Sequence, residues 1–368
     1  ISGNSRAVFE YFIGYKLGLT ATPKDYLKNV DADELASNDP RAWERRQLLD
    51  TYKTFGCESG EPTFRYSLID GVNDPDGPYL VNPTVVDART EITTKLLADK
   101  GYSVMVQDDD EEEEETYFAR DFEKKFFSDE TNMMLVKTFM DNAMRDPITG
   151  EVGKGIVFCV SRKHAAKITQ LLNVYADKMF PEMYYSDFAM QITSDVQGAQ
   201  DYTINFQNNN LSGNTKFLEG YKSSKTRICV TVGMMTTGYD CEDILNIGLF
   251  RPIFSPTDFI QIKGRGTRTF TFNYKTRANG GWEEHSYPKT NFKLFDFFGN
   301  CEYFEEKYDY DEVIKLPQIS ASGAGTGGGS TMGATFENFN PDPLQSITET
   351  KIGLQGMKID RMFFEKFE

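Results

Sequence analysis

Val230-Thr231-Val232-Gly233-Met234-Met235-Thr236-Thr237-Gly238-Tyr239-Asp240 begins as an apolar strand and opens into a loop of hydroxyls, glycine and acid; downstream stands Gln261-Ile262-Lys263-Gly264-Arg265-Gly266-Thr267-Arg268. Gln261, Arg265 and Arg268 are spaced i, i+4, i+7, which on a helix places them along one face. Two guanidinium groups on one face make a clamp for anions, because each presents a planar fork of donors. Arginines held this way stabilise charge on a transferring phosphoryl group and are worth about 10³ to 10⁵ in rate. Ser255-Pro256-Thr257-Asp258 reads as an N-cap, a proline at the first helical position and an acid at the third, so the clamp is expected on a well-started, rigid helix. A Gly-Arg-x-x-Arg pair alone is ordinary on surface helices. Preceded by a buried strand, the Thr/Gly/Asp loop and a second apolar run at 246–250, it becomes specific.

Around this stretch the pattern alternates. Short, nearly continuous apolar runs at 156–160, 188–193, 227–232, 246–250 and 292–297 read as strands. Between them lie amphipathic stretches such as 162–178, with Ala165, Ile168, Leu172 and Tyr175 recurring at three and four. Apolar strands separated by such helices predict an α/β fold, a parallel sheet covered by helices on both faces. Ligands of such sheets gather beyond the carboxyl ends of the strands, where Ser161-Arg162, Thr193-Ser194-Asp195 and the 236–240 loop are expected.

Composition bounds the rest. With 368 residues, 39% hydrophobic and 14% aromatic, the chain has material for a sizeable core and room for about two domains. No apolar run reaches the length of a membrane span, and no signal-peptide pattern is present. The five cysteines, Cys57, Cys159, Cys229, Cys241 and Cys301, are scattered without Cys-x-x-Cys pairing, which predicts a reducing, cytoplasmic setting with neither a zinc site nor a disulfide framework. His164 and His285 are the only histidines, and no metal site is expected around them. The net charge is −16, but residues 108–115 are one run of eight acids, so the remainder carries −8. Any contact with nucleic acid must therefore use local basic patches rather than a global field.

The organisation reads as five parts. Residues 1–24 resemble the end of a domain, closing on Thr20-Ala21-Thr22-Pro23-Lys24; the start at Ile1 rather than Met suggests a longer protein. Residues 25–128 are irregular, with Asn73-Asp74-Pro75-Asp76-Gly77-Pro78, an extended run over 79–87 and the acidic loop 108–115, and read as a connecting or inserted region. Residues 129–312 hold the alternating pattern, 313–332 form a Gly/Ser-rich linker, and 333–368 open a further element.

The order Thr-Ala-Thr-Pro, strand with Thr-Gly-Tyr-Asp loop, then Gln-x-x-x-Arg-x-x-Arg resembles the superfamily 2 helicases and translocases. More narrowly, 80–90 (Leu-Val-Asn-Pro-Thr-Val-Val-Asp-Ala-Arg-Thr), 120–127 (Arg-Asp-Phe-Glu-Lys-Lys-Phe-Phe) and 248–259 (Gly-Leu-Phe-Arg-Pro-Ile-Phe-Ser-Pro-Thr-Asp-Phe) resemble the R subunit of type I restriction-modification enzymes. The resemblance runs from residue 1 to about 315 and implies a RecA-like second motor domain, preceded by the last edge of the first. It also implies a larger protein with an amino-terminal nuclease, which joins methyltransferase (M) and specificity (S) subunits, translocates double-stranded DNA using ATP and Mg²⁺, and cuts it remotely. No Gly-x-x-x-x-Gly-Lys-Ser/Thr phosphate loop and no Asp-Glu-x-His box occur here, so the chain alone is expected to hydrolyse no ATP and to hold no cofactor.

Roles carried over from the resemblance fall on matching positions. Arg265 and Arg268 would meet the γ-phosphate, with Arg268 as the finger; Gln261 would orient the clamp, and Asp240, beside Gly238, would accept from the ATP ribose. Ser161, Arg162, Thr193, Ser194, Thr236, Thr237, and Thr20 with Thr22, would hold DNA phosphates, contacts that position a protein without reading sequence. Gly233 departs from the pattern, standing where related motors often carry an acid. Two other readings stay open: a strand-separating superfamily 2 helicase, and a non-catalytic docking module.

Overall fold

The computed structural model describes residues 62–89 and 128–307, except 237, 254–255 and 279–280, together with 11, 14, 17–20, 51, 55 and 57. In chain order the elements are α1 (Leu68–Asn73), β1 (Asn82–Asp87), α2 (Asp129–Asn142), β2 (Gly155–Cys159), α3 (Arg162–Met179), β3 (Ala189–Gln191) and α4 (Ala199–Gln207). There follow β4 (Asn214–Leu218), β5 (Tyr221–Ser224), β6 (Ile228–Thr231), β7 (Asn246–Phe250), α5 (Pro256–Gly264), β8 (Thr271–Ala278), β9 (Gly281–Pro288), β10 (Asn291–Asp296) and α6 (Asn300–Lys307).

Six strands form one sheet in the order β1-β10-β7-β2-β6-β3, every neighbouring pair parallel. Pleating sends alternate residues to opposite faces. Val157 and Cys159 of β2, with Ile228 and Val230 of β6, join a core under α2 and α3 that includes Leu135, Phe139, Ile168 and Leu172. Ile156 and Phe158, with Cys229, Ile247 and Leu249, join a second core against Phe206, Phe259, Ile262 and Phe304 from α4, α5 and α6. The sheet is thus covered on both faces, as the apolar runs predict. The five expected strands are β2, β3, β6, β7 and β10, with ends shifted by no more than two residues.

The sixth strand comes from elsewhere. The extended run at 79–87, read from sequence as part of the 25–128 connecting region, pairs with β10 from Asn82↔Asn291 to Asp87↔Asp296. Val86 enters the first core and Val85 the second, so β1 is buried on both sides like an interior strand. The antiparallel hairpins β4–β5 and β8–β9 lie outside the expected strands. β4, β8 and β9 send most side chains to solvent, and the buried positions of the hairpins, Tyr221, Ser223, Ser224 and Phe272, include only two apolar residues, so neither hairpin carries the period-two apolar signal that marks a half-buried strand.

α3 shows the local logic. Ser161 is its N-cap, accepting from the His164 backbone N–H at 3.0 Å, and His164, Ala165, Ile168, Leu172 and Ala176 form its buried stripe. Tyr175, expected in that stripe, lies at its margin and donates its hydroxyl to Asp141 at 2.8 Å. Burial pushes the His164 imidazole down to about 3, so it is neutral at all ordinary pH, and its Nε2 lies 3.1 Å from Asn132 Oδ1.

Two buried ion pairs pin the amino-terminal edge of the sheet. Lys154, just ahead of β2, reaches Asp243 at 2.8 Å and the Phe206 carbonyl at 2.7 Å. Burial alone would raise the Asp243 carboxyl, but Lys154, Asn209 and Cys241 outweigh it and hold it below the usual carboxylate range. Arg227, ahead of β6, donates to Asp146 at 3.0 Å and to the Val152 carbonyl at 2.8 Å, while Tyr221 donates to the same carboxylate.

Candidate functional site

The candidate residues are divided between the two ends of the sheet. α5 stops at Gly264, so of the three residues expected on one helical face only Gln261 is helical. Arg265 and Gly266 turn the chain back, and Arg268 forms an antiparallel bridge with Leu80, just before β1. The reason is steric and local. A Cβ at Gly266 would stand 2.2 Å from the Phe292 ring, so the backbone passes over that ring only as glycine, and Val81 N–H then donates to the Thr267 carbonyl at 2.7 Å. Because β1 runs parallel to its neighbours, this places Arg268 at the amino-terminal edge of the sheet.

Here the two parts of the motif meet. Arg268 reaches Asp240 at 3.1 Å and Glu242 at 3.6 Å. Gly238, at φ 72°, turns the loop that delivers Asp240, a left-handed conformation in which a side chain would be strained. Arg265 is engaged differently: its Nε donates to the Gln261 carbonyl at 3.1 Å and its Nη1 to the Tyr239 carbonyl, tying the end of α5 to the loop. Burial is the largest influence on Arg265 and lowers its pKa, with Asp240 opposing and Arg268 adding. Arg268 and Asp240 are each about half exposed, at 47% and 55%. An ion pair so open to water is worth only about 0–1 kcal/mol, so an anion could take Arg268 from Asp240 at little cost.

The other group sits at the carboxyl ends of β2 and β3. Arg162 Nη2 donates to Ser194 Oγ at 3.0 Å, and its Nε lies 3.5 Å from Asp195. Thr193 is buried; its hydroxyl donates to Asp195 at 2.6 Å and accepts from Gln191 Nε2 at 3.0 Å. That Thr193 bond is the largest influence holding the Asp195 carboxyl below the usual carboxylate range. Thr193 is therefore an internal tie, while Arg162 and Ser194 face outward. The hydroxyls of Thr231 and Thr236 are buried without a hydrogen-bond partner among the described residues. The loop after β6 links the two ends: Thr236 stands early in it and Asp240 late. Gly233 has open space where a side chain would be, so an acid would fit there without displacing a neighbour.

Thr20 is exposed. Thr22, Thr237, Ser255, the acidic run 108–115 and everything from 308 onward lie outside the described residues. Glu242 and Asp195, the acids that balance Arg268 and Arg162, were not foreseen as partners. Their signal was proximity to the motifs, which does not say which cation an acid will meet. Among the described residues no group of three or more His, Cys, Asp or Glu could hold a metal ion, and no helix is long and apolar enough to cross a membrane.

No family model matches the chain. Two curated relatives do. The endonuclease subunit of the type I restriction enzyme EcoAI from Escherichia coli is 27% identical over 318 residues, 83% of this chain and 30% of the relative. The chain is related to type I restriction enzyme endonuclease subunits. That of EcoKI, from Escherichia coli strain K12, is 23% identical over 85% of this chain and 22% of its own length. The chain thus spans less than a third of either relative. Among solved structures, a fragment described as an HsdR subunit of a type I restriction enzyme from Vibrio vulnificus YJ016 aligns with a TM-score of 0.43 at 23% identity, over 76% of this chain and 41% of that one. The type ISP restriction-modification enzyme LlaBIII, bound to DNA, aligns with a TM-score of 0.35 at 13% identity, over 66% of this chain and 13% of that one.

Proposed function

We propose that this chain is the second motor half of an ATP-driven translocase on double-stranded DNA, working within a type I restriction enzyme that joins M and S subunits. The observation that carries the reading is the meeting of Asp240 and Arg268, brought from two separate loops to one edge of the sheet, beside an Arg265 whose Nε and Nη1 donate to protein carbonyls. A half-exposed carboxylate and guanidinium side by side suit a ribose hydroxyl and a polyphosphate. In this reading Arg268 is the finger and Arg265 its support. The phosphate loop and the Mg²⁺ ligands would come from another motor domain, so ATP turnover is a property of the complete enzyme. The direct test is turnover by a complete enzyme carrying Arg268→Ala: collapse supports the reading, and parental turnover overturns it.

The DNA half of the proposal uses Arg162, Ser194 and the 233–236 loop as phosphate contacts at the opposite end of the sheet. Binding of duplex DNA by this chain should be weak, indifferent to sequence and steeply salt-dependent, each neutralised phosphate adding about 0.9 to the slope of log K against log salt. Arg162→Ala should flatten that slope by about one contact while weakening all sequences alike. Fluorescence anisotropy over a salt series decides it, and a tight, salt-insensitive preference for one sequence would show these assignments to be wrong.

The strand-separating alternative draws on one observation, the exposed β8–β9 hairpin with Trp282 59% exposed near its turn. Its charges cancel, Lys275 and Arg277 against Glu283 and Glu284, which does not favour a nucleic-acid wedge. Release of a displaced strand by the complete enzyme would move the reading toward it.

A further inference from the structure

Lys289 lies between β9 and β10, is almost fully buried at 6% exposure, and belongs to neither motif. Its Nζ donates to the Glu242 carbonyl at 2.9 Å and to the Gly266 carbonyl at 2.8 Å. Glu242 stands two residues beyond Asp240, and Gly266 stands between Arg265 and Arg268. One ammonium group therefore binds the backbones of the two loops that carry the clamp. Around it the fit is close: the Lys289 backbone N–H donates to the Phe270 carbonyl at 2.7 Å, Nζ lies 5.9 Å from the centre of the Phe292 ring, and that ring is the surface over which Gly266 passes.

We propose that Lys289 is a positioning residue of the nucleotide clamp, fixing the Asp240 loop and the Arg268 turn at the separation from which both side chains meet one nucleotide. This rests on the clamp reading of Asp240 and Arg268. The chemistry suits the task. The half-exposed Arg268–Asp240 pair is too weak to set the spacing of its own loops, whereas a buried cation donating to two carbonyls gives short, charge-assisted bonds roughly twice as strong as neutral ones. A displacement of about 1 Å at such a site costs about 10² in rate.

The same burial gives the brace a pH dependence. Burial pulls the Lys289 ammonium down to about 8, with Asp243, Cys241 and Glu242 opposing and Arg268 adding to the fall. Loss of its proton weakens both bonds, so turnover should decline as pH rises past about 8. Stability moves the other way. The folded-state value lies below the ordinary 10.5, so between the two the unfolded chain binds more protons, and the Lys289 contribution to stability grows as pH rises through that window. A purely structural lysine would alter the melting temperature and leave the turnover profile alone; a positioning lysine separates the two.

The test is DNA-stimulated ATP hydrolysis by the complete enzyme and its Lys289→Met, Lys289→Arg and Arg268→Ala variants, with kcat and KM for ATP followed from about pH 7 to about pH 9. Lys289→Met should lower kcat by about 10- to 100-fold with KM within a few-fold, and its profile should lack the alkaline decline. Lys289→Arg, which keeps its charge throughout, should retain much of the turnover and lose the decline as well. If Lys289→Met turns over at the parental rate while Arg268→Ala is inactive, the positioning role is overturned and the clamp stands. Should Arg268→Ala also turn over at the parental rate, the clamp reading falls and takes this inference with it. Where Lys289→Met does not fold, Lys289→Arg decides against the parent: a changed kcat or a shifted alkaline profile with KM for ATP and melting temperature held supports the proposal, and a kcat and profile identical to the parent's overturn it.

Discussion

Arg268→Ala in the complete enzyme is expected to lower kcat for DNA-stimulated ATP hydrolysis by at least about 10³, with ATP affinity within a few-fold of the parent. The asymmetry follows from where Arg268 stands. With no transferring charge to meet, it rests against Asp240 and Glu242, half in water. Its contribution to nucleotide binding is then one exposed pair exchanged for another, worth about 1 kcal/mol or less. In the transition state it would face charge spreading over the phosphoryl oxygens in a closed site, where a factor of about 10³ corresponds to about 4 kcal/mol. Lysine at this position should rescue little, because a point charge cannot reproduce the planar fork. Arg265→Ala is expected to behave differently, since its donors hold the Tyr239 and Gln261 carbonyls: it should loosen the loop and cost stability as well as rate. The measurement is steady-state turnover with a melting-temperature control and a check of assembly with the M and S subunits. Near-parental ATP hydrolysis and DNA cleavage by a folded, assembled Arg268→Ala enzyme would remove the finger role from this residue.

The largest expected effect on stability belongs to Arg227. Its guanidinium and the Asp146 carboxylate are both buried, at 2% and 0% side-chain exposure, and Asp146 also accepts from the Tyr221 hydroxyl and from the backbone N–H groups of Ile148 and Thr149. Arg227→Leu leaves that carboxylate in the interior without its cation, which costs about 3–5 kcal/mol. For a domain of this size the melting temperature should drop by roughly 10 °C. Adding Asp146→Asn should recover part of the loss, because the orphaned charge is removed while an acceptor for Ile148 and Thr149 is kept. Differential scanning fluorimetry of the chain reads both changes. A drop of less than about 1 kcal/mol for Arg227→Leu would mean that water reaches the pair and that the interior is less closed than described.

The sequence by itself determined five of the six strands of the main sheet and part of the local chemistry. Runs such as Ile156-Val157-Phe158-Cys159 and Asn246-Ile247-Gly248-Leu249-Phe250 are apolar on both faces, and only a sheet covered on both sides satisfies that. Pro256 opening α5 is dictated within a few residues and was legible for that reason; Ser161 capping α3 and Gly238 in the left-handed region are equally local but emerge only from the structure. The relatedness to type I restriction enzyme endonuclease subunits rests on matches along the chain and needed no geometry.

Other features were decided only by the tertiary structure, because their causes lie far away in the chain. Residues 82–87 become a strand because β10, about two hundred positions on, offers them an edge and two apolar faces. The spacing of Gln261, Arg265 and Arg268 implied one helical face, but Phe292 under Gly266 and the bond from Val81 end the helix first. That ending divides the labour, tying Arg265 to backbone carbonyls and leaving Arg268 half in water opposite Asp240. Thr193, outward-facing by its place at a strand end, turns inward because Gln191 and Asp195 satisfy its hydroxyl. Period and propensity act over a turn or a strand. Which cation meets which acid is settled by where the folded backbone brings them, and Lys289, silent in the sequence, gains its place between Glu242 and Gly266 only there.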